Sequence, residues 1–216
     1  MNVLRLLVIC NIAGIFFSCA NGGNLLTEEN IIKVDSNPQA MLTFMDNLPV
    51  ESMTDQQKAM YYIIRSTALD RLYGKGYTEE KGVLQAKEYF KKHGNKEMLI
   101  ESLYRLGNIH DSQSDPTQAI NDYLDALTVA ERDANTYWLF HLNSKIGVHY
   151  LMRYDEQEAD QLMEKSMQYL KDLNIGQLGI DAKLLVGKVL LYKKKIWQST
   201  EDIQRHIGCN CGQRPV

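Results

Sequence analysis

Between residues 100 and 133 the apolar and small positions fall three or four apart, the period of a helix with one buried face. Leu103, Leu106-Gly107 and His110 share one side of a first helix. Ala119, Tyr123 and Ala126 stripe a second at i, i+4 and i+7. Between them, Asp115-Pro116 offers an N-cap followed by proline in the first turn. The stretch therefore reads as two helices joined by a tight turn. Two small residues flanking an aromatic let a neighbouring helix come close while the ring fills the gap.

The same pattern recurs along the chain. An alanine followed four residues later by an aromatic appears as Ala40/Phe44, Ala86/Phe90 and Ala119/Tyr123, and weakens to Ala159/Met163 and Ser199/Ile203. Gly107, Gly147 and Gly187 lie 40 apart, each preceded by Leu, Ile or Val, and Ala119, Ala159 and Ser199 each follow by 12. Self-similarity at such a period marks stacked helix pairs. The spacing predicts a lone helix at about 37–47 and pairs at about 54–93, 98–131, 137–172 and 178–206, about nine or ten helices in all. In the first pair a long helix runs from Asp55 to Tyr73, with Ala59, Tyr62, Ile63, Leu69 and Leu72 as expected buried positions. Gly74-Lys75-Gly76-Tyr77 breaks it, and a second helix over 79–92 ends at His93-Gly94, a natural C-cap.

The 100–133 pattern resembles the tetratricopeptide repeat (TPR), W-x2-L-G-x2-Y…A-x3-F…A-x4-P. Leu103 stands for the Trp, His110 for the Tyr and Glu131 for the closing Pro, while Leu-Gly and the alanine–aromatic–alanine stripe are kept. The resemblance implies an all-α fold, a right-handed α-solenoid of helix–turn–helix repeats over 37–207, with the tail 208–216 outside the repeats. The next copy keeps Tyr150 and has Asn143 where Trp or Leu is expected; the last keeps Val186-Gly187, with Leu190 in the Tyr position. Such decay suits a capping repeat whose outer face meets water. Alternatively the chain is a shortened form of the longer bacterial lipoproteins it resembles, which continue through more repeats into a membrane helix and a coiled coil.

The first residues carry a different signal. Met1 to Ser18 has one charged side chain, Arg5, followed by an apolar run from Leu6 to Phe17. Twelve residues are too few to span a bilayer as a helix, and residues 1–18 read as a signal peptide. Phe16-Phe17-Ser18-Cys19 resembles a bacterial lipobox, which implies lipidation at Cys19. Ordinary cleavage after Ala20 is the alternative, since Ser18 and Ala20 also supply small residues at the required places. At ~0.8 kcal/mol per buried methylene, the three acyl chains implied would anchor the protein almost permanently. No acidic residue occurs in Ala20-Asn21-Gly22-Gly23-Asn24, which leans toward a periplasmic location. Residues 19–36 read as a polar, glycine-bearing tether.

Composition narrows the function classes. A net charge of −3 over 216 residues gives no broad polyanion-binding surface, so nucleic acid is not an expected partner. No P-loop, G-x-G-x-x-G or G-x-S-x-G occurs, and Gly74-Lys75-Gly76 lacks the rest of a phosphate cradle. His206-x2-Cys209-x-Cys211 offers three ligands where a structural zinc site takes four; in an oxidising envelope those thiols could pair with another chain. His93, His110, His141 and His149 share no spacing, and His110 occupies a core position, which makes it a packed ring. No enzyme activity, cofactor or metal is expected.

In the TPR family the first helices of successive repeats line a concave groove. The groove-facing positions map onto Glu101, Tyr104, Asn108 and Asp111, then His141, Ser144, Val148 and Leu151, then Asp181, Leu184, Lys188 and Leu191. Asn108 matches the asparagine of TPR domains that clamp a C-terminal carboxylate, but Tyr104 replaces the matching lysine, and Asp181 and Leu185 stand where further cations belong. A carboxylate would meet Glu101, Asp111 and Asp181, which disfavours it. Tyr104, Asn108, Asp111, Ser144, Val148, Leu151, Leu184 and Lys188 are the expected partner-binding residues. They suit a helix or extended segment with apolar anchors; the equal alternative is burial of some of them between repeats. The expected function is a non-enzymatic, lipid-anchored scaffold of the bacterial cell envelope that binds a protein or peptide. The alternative is the sensory part of a membrane regulator. Leu184 to Tyr192, the one further apolar run, has nine residues including Lys188 and cannot cross a bilayer.

Overall fold

The computed structural model describes residues 26, 34, 36–74, 80–153, 155–174, 176, 182–192 and 194. Among these residues the fold is all-α, with no strand. The helices are α1 (Pro38–Asp46), α2 (Asp55–Tyr73), α3 (Glu80–His93), α4 (Lys96–Ser112), α5 (Pro116–Asp133), α6 (Thr136–Met152) and α7 (Glu156–Leu170). A 3-10 turn, Val50–Ser52, precedes α2, and residues 182–192 are helical again. None of these helices is long and apolar enough to cross a membrane.

Local chemistry sets the boundaries. Thr54 and Gln57 form a reciprocal capping box at the start of α2, with Thr54 N–H donating to Gln57 Oε1 at 2.9 Å. Asn37, Asn95, Asp115 and Asn135 each accept from the backbone N–H three residues on, capping α1, α4, α5 and α6. Pro116 follows its cap as expected. α3 ends at Gly94, whose φ of +75° is the left-handed turn glycine tolerates. Ala134 adopts the same region at φ +50° without that freedom.

Each helix packs on the next, α1 on α2 through α6 on α7, and α2 also touches α4. The pairs α2–α3, α4–α5 and α6–α7 coincide with three of the four expected, and α1 packs on α2 as a single helix. Within α4–α5, Gly107 lies directly under the Tyr123 ring, and any Cβ there would run into it. In α2–α3 the roles are exchanged: Tyr62 of the first helix covers Gly82 of the second. The 40-residue glycine period thus has unequal content. A Cβ at Gly147 would come 3.3 Å from Met163 Cε, and at Gly187 it would meet nothing within 4 Å.

Two expectations need correction. Leu26 (1% exposed) and Val34 (0%), inside the stretch read as a tether, belong to the same core as Met45, Ile63 and Phe90. The chain is therefore fastened to the first pair at Leu26 and at Val34. α2 and α4 also bury far more than a single stripe: Ile100 to Ile109 are all buried, because α2, α3 and α5 enclose α4. Tyr62, Leu69 and Leu72 are half-buried, whereas Met60, Tyr61, Ile64 and Ala68 lie in the core.

Candidate binding groove

Four helical segments, each the first of a pair or in that position, converge on one cavity of about 190 Å³. α2 contributes Asp70 and Arg71, with Gly74 just beyond it; α4 contributes Tyr104 and Asn108, and α6 His141 and Lys145. Residues 182–192 contribute Leu184, Leu185 and Lys188. The volume lies below the ~300–1,000 Å³ of sites for drug-sized molecules. It has room for one side chain or a chain end.

An ion triad holds one wall. Arg105 donates through Nε to Glu101 Oε1 at 2.7 Å and reaches Asp70 Oδ2 of α2 through Nη1 at 3.0 Å. Its side chain is 5% exposed, and those of both acids 9%. Burial disfavours the guanidinium charge, but the attraction of Glu101 and Asp70 outweighs it and holds the Arg105 pKa above its ordinary value. Glu101, expected to repel an acidic ligand, is thereby neutralised from within. Asp111 similarly faces Lys145 Nζ at 3.9 Å and His149 Nε2 at 3.6 Å.

The floor is aromatic and tightly packed. Tyr104 stands among Tyr123, Trp138 and His141, with ring centroids 5.8, 5.5 and 4.8 Å away. Lys145 Nζ lies 5.4 Å over Tyr123 and Arg105 Cζ 5.4 Å over Tyr104, cations placed on ring faces. The Tyr123 hydroxyl donates to Asn108 Oδ1 at 2.9 Å, which commits the oxygen of that amide and leaves the nitrogen as its donor end. Burial pushes the Tyr123 pKa well up, with Tyr104 and the nearby aspartates adding to it, so the hydroxyl stays a donor.

No protein-family model and no curated protein matches this chain.

What the groove can do follows from its own residues. Of those expected at it, Tyr104, Asn108, Leu184 and Lys188 line the one cavity, and Asp111 adjoins through Lys145, which also lines it. Tyr104 and Asn108 are each only 3% exposed, so the cavity touches their edges. Ser144 is misplaced by the sequence reading. It is fully buried, donating to Phe140 O at 2.8 Å and sharing a 2.5 Å hydrogen bond with Ser166, so it joins α6 to α7. Val148 and Leu151 are half-buried on α6 and do not border the cavity. Cys19, Asp181, His206, Cys209 and Cys211 lie outside the described residues.

Sequence reasoning missed Asp70, Arg71 and Lys145. Glu101 and Arg105 are visible as an i, i+4 pair, but Asp70 lies 35 residues upstream, beyond any local pattern. His110 also does more than fill space. Its Nδ1 is 2.5 Å from Asp122 Oδ2 and its Nε2 3.6 Å from Glu80 Oε1, so it joins α3, α4 and α5. Burial raises the Asp122 pKa, against the His110 hydrogen bond that lowers it.

Proposed function

We propose that this protein is a non-enzymatic, lipid-anchored scaffold of the bacterial cell envelope, built as a right-handed TPR-like solenoid, whose concave groove takes a protein or peptide partner. One observation carries the reading: α2, α4, α6 and 182–192 all border one cavity, as successive first helices of TPR repeats do around a ligand groove. The partner enters as a chain end or loop tip, because about 190 Å³ takes one anchoring residue and no helix. Leu184, 61% exposed, and Lys188 offer an apolar and a cationic contact at the rim. Cys19 carries the lipid, and the groove faces the periplasm.

A pull-down from envelope extracts tests the groove. Immobilised wild type should retain a partner that Leu184→Glu/Lys188→Glu loses, while both give the same thermal melt. Equal retention by the double variant would overturn the groove assignment. These two exposed positions are chosen because substitution there leaves the core intact.

A further inference from the structure

We propose that the outer face of α3 rests on an anionic phospholipid surface. This rests on the reading of Cys19 as a lipid anchor. α3 turns Val83, Ala86 and Phe90 into the core that also holds Leu26 and Val34. Leu26 lies seven residues after Cys19, a reach of at most about 25 Å. A lipid on Cys19 therefore keeps this helix pair beside the bilayer.

The opposite face of α3 is basic. The helix carries four lysines against two glutamates. Glu80 faces His110 and Gln113, and Glu88 faces Lys87, which leaves Lys81, Lys91 and Lys92 exposed. Lys81 and Lys92 border an open trough of about 720 Å³ with Lys58 from α2, over a floor that includes Leu84 and Tyr89; Asp55 and Glu88 are its acids. Ala59 lines this trough and belongs to the Leu26 core, so the trough and Leu26 share one part of the fold.

The second helices that follow have the reverse sign. α5 carries four acids against one arginine, and α7 four acids against one lysine. The chain as a whole is −3, so α3 is a positive pole on an acidic protein. An anionic surface attracts α3 and repels α5 and α7, which turns the later pairs away from the bilayer. Leu84 and the Tyr89 ring sit between the lysines, where an interfacial surface uses apolar and aromatic groups.

The test reconstitutes the full protein, as processed by the bacterium that expresses it, on vesicles of phosphatidylcholine alone or with added phosphatidylglycerol. Lysines are then labelled with a membrane-impermeant amine reagent and read by mass spectrometry. Labelling of Lys81 and Lys92 should slow by about fivefold on the anionic vesicles, the factor equivalent to ~1 kcal/mol per lysine at a charged surface. Lys165 and Lys171 should react equally on both. Added salt should erase the difference, since screening falls to about 3 Å at 1 M. Lys81→Glu/Lys92→Glu should still float with both vesicles while Lys58 and Lys91 lose their protection.

Flotation with both vesicles and equal labelling on both would overturn the surface and leave the anchor standing. Flotation with anionic vesicles alone, with the lysines protected, would overturn the anchor and keep the surface. Failure to float with either would overturn both.

Discussion

Replacing Arg105 by methionine tests the structure where its electrostatics are most committed. The substitution keeps an unbranched chain of similar reach and removes only the charge and its donors. It strands two carboxylates, Glu101 and Asp70, whose side chains are 9% exposed. Removing one partner of a buried ion pair costs ~3–5 kcal/mol, because the buried charge left behind has lost its strongest compensating contact. Whole domains are stable by only ~5–15 kcal/mol, so this loss is a large part of the total. In a chain of this size it lowers the Tm by roughly 10 °C.

The pH dependence separates this cause from lost packing. A stranded acid has its folded pKa raised above the unfolded value near ~4, so it destabilises the fold at neutral pH and ceases to do so once protonated. The deficit of Arg105→Met should thus be full at pH 7 and shrink as pH falls toward ~4. Urea titrations followed by circular dichroism and by tryptophan fluorescence, at several pH values, measure it. Asp70→Asn/Glu101→Gln/Arg105→Met should recover most of the loss. A single variant within ~1 kcal/mol of wild type, or a deficit flat in pH, would refute a buried ionised triad.

Gly107→Ala should destabilise by ~1–3 kcal/mol in urea melts, since the new methyl meets the Tyr123 ring, while Gly187→Ala should be neutral or slightly stabilising. Ala126→Arg puts a long charged chain at a position with no exposure and should cost several kcal/mol; a melt within a degree or two of wild type would show the helix register to be wrong. Cys19→Ser should abolish incorporation of a clickable fatty acid and move the protein out of the Triton X-114 detergent phase. An unlabelled, soluble wild type would mean ordinary secretion.

The helix pairs were legible because their signals are local. Caps at Asp115, a left-handed glycine at Gly94 and the meeting of Gly107 with Tyr123 each involve residues close in sequence. What escaped was set by distant contacts. A one-face stripe cannot reveal that α4 is enclosed by three helices, and so cannot show that Glu101 and Arg105 are buried together. Ser144 fits a groove register by spacing, yet Ser166, 22 residues away, draws it between α6 and α7. Leu26 and Val34 fall in the short apolar runs Leu25-Leu26 and Ile31-Ile32-Lys33-Val34, too brief and too interrupted by polar residues to show a periodic buried face. Across from them lie Met45 and Ile63, with no exposure, and these make the site apolar. The repeated glycines mislead for the opposite reason, since the period persists while the side chain facing each one changes.

The narrowness of the groove follows from how four helices share it. Packed helices sit about 8–10 Å apart, so three successive steps in a straight row would separate the first and last by about 24–30 Å. Arg71 near the end of α2 and Leu184 at the far segment nevertheless border the same 190 Å³. The first helices must therefore curl around the cavity. Such a curl explains why Tyr104 and Asn108 are almost wholly buried although the TPR resemblance assigns them to groove-facing positions. It also divides the expected site in two. Asn108 and Lys145 at the bottom can meet only what is thin enough to enter, whereas Leu184 and Lys188 at the rim contact the body of whatever brings it. Substitutions at the rim should therefore weaken a partner in proportion to its size. Asn108→Ala, by contrast, should weaken only partners that insert an acceptor group.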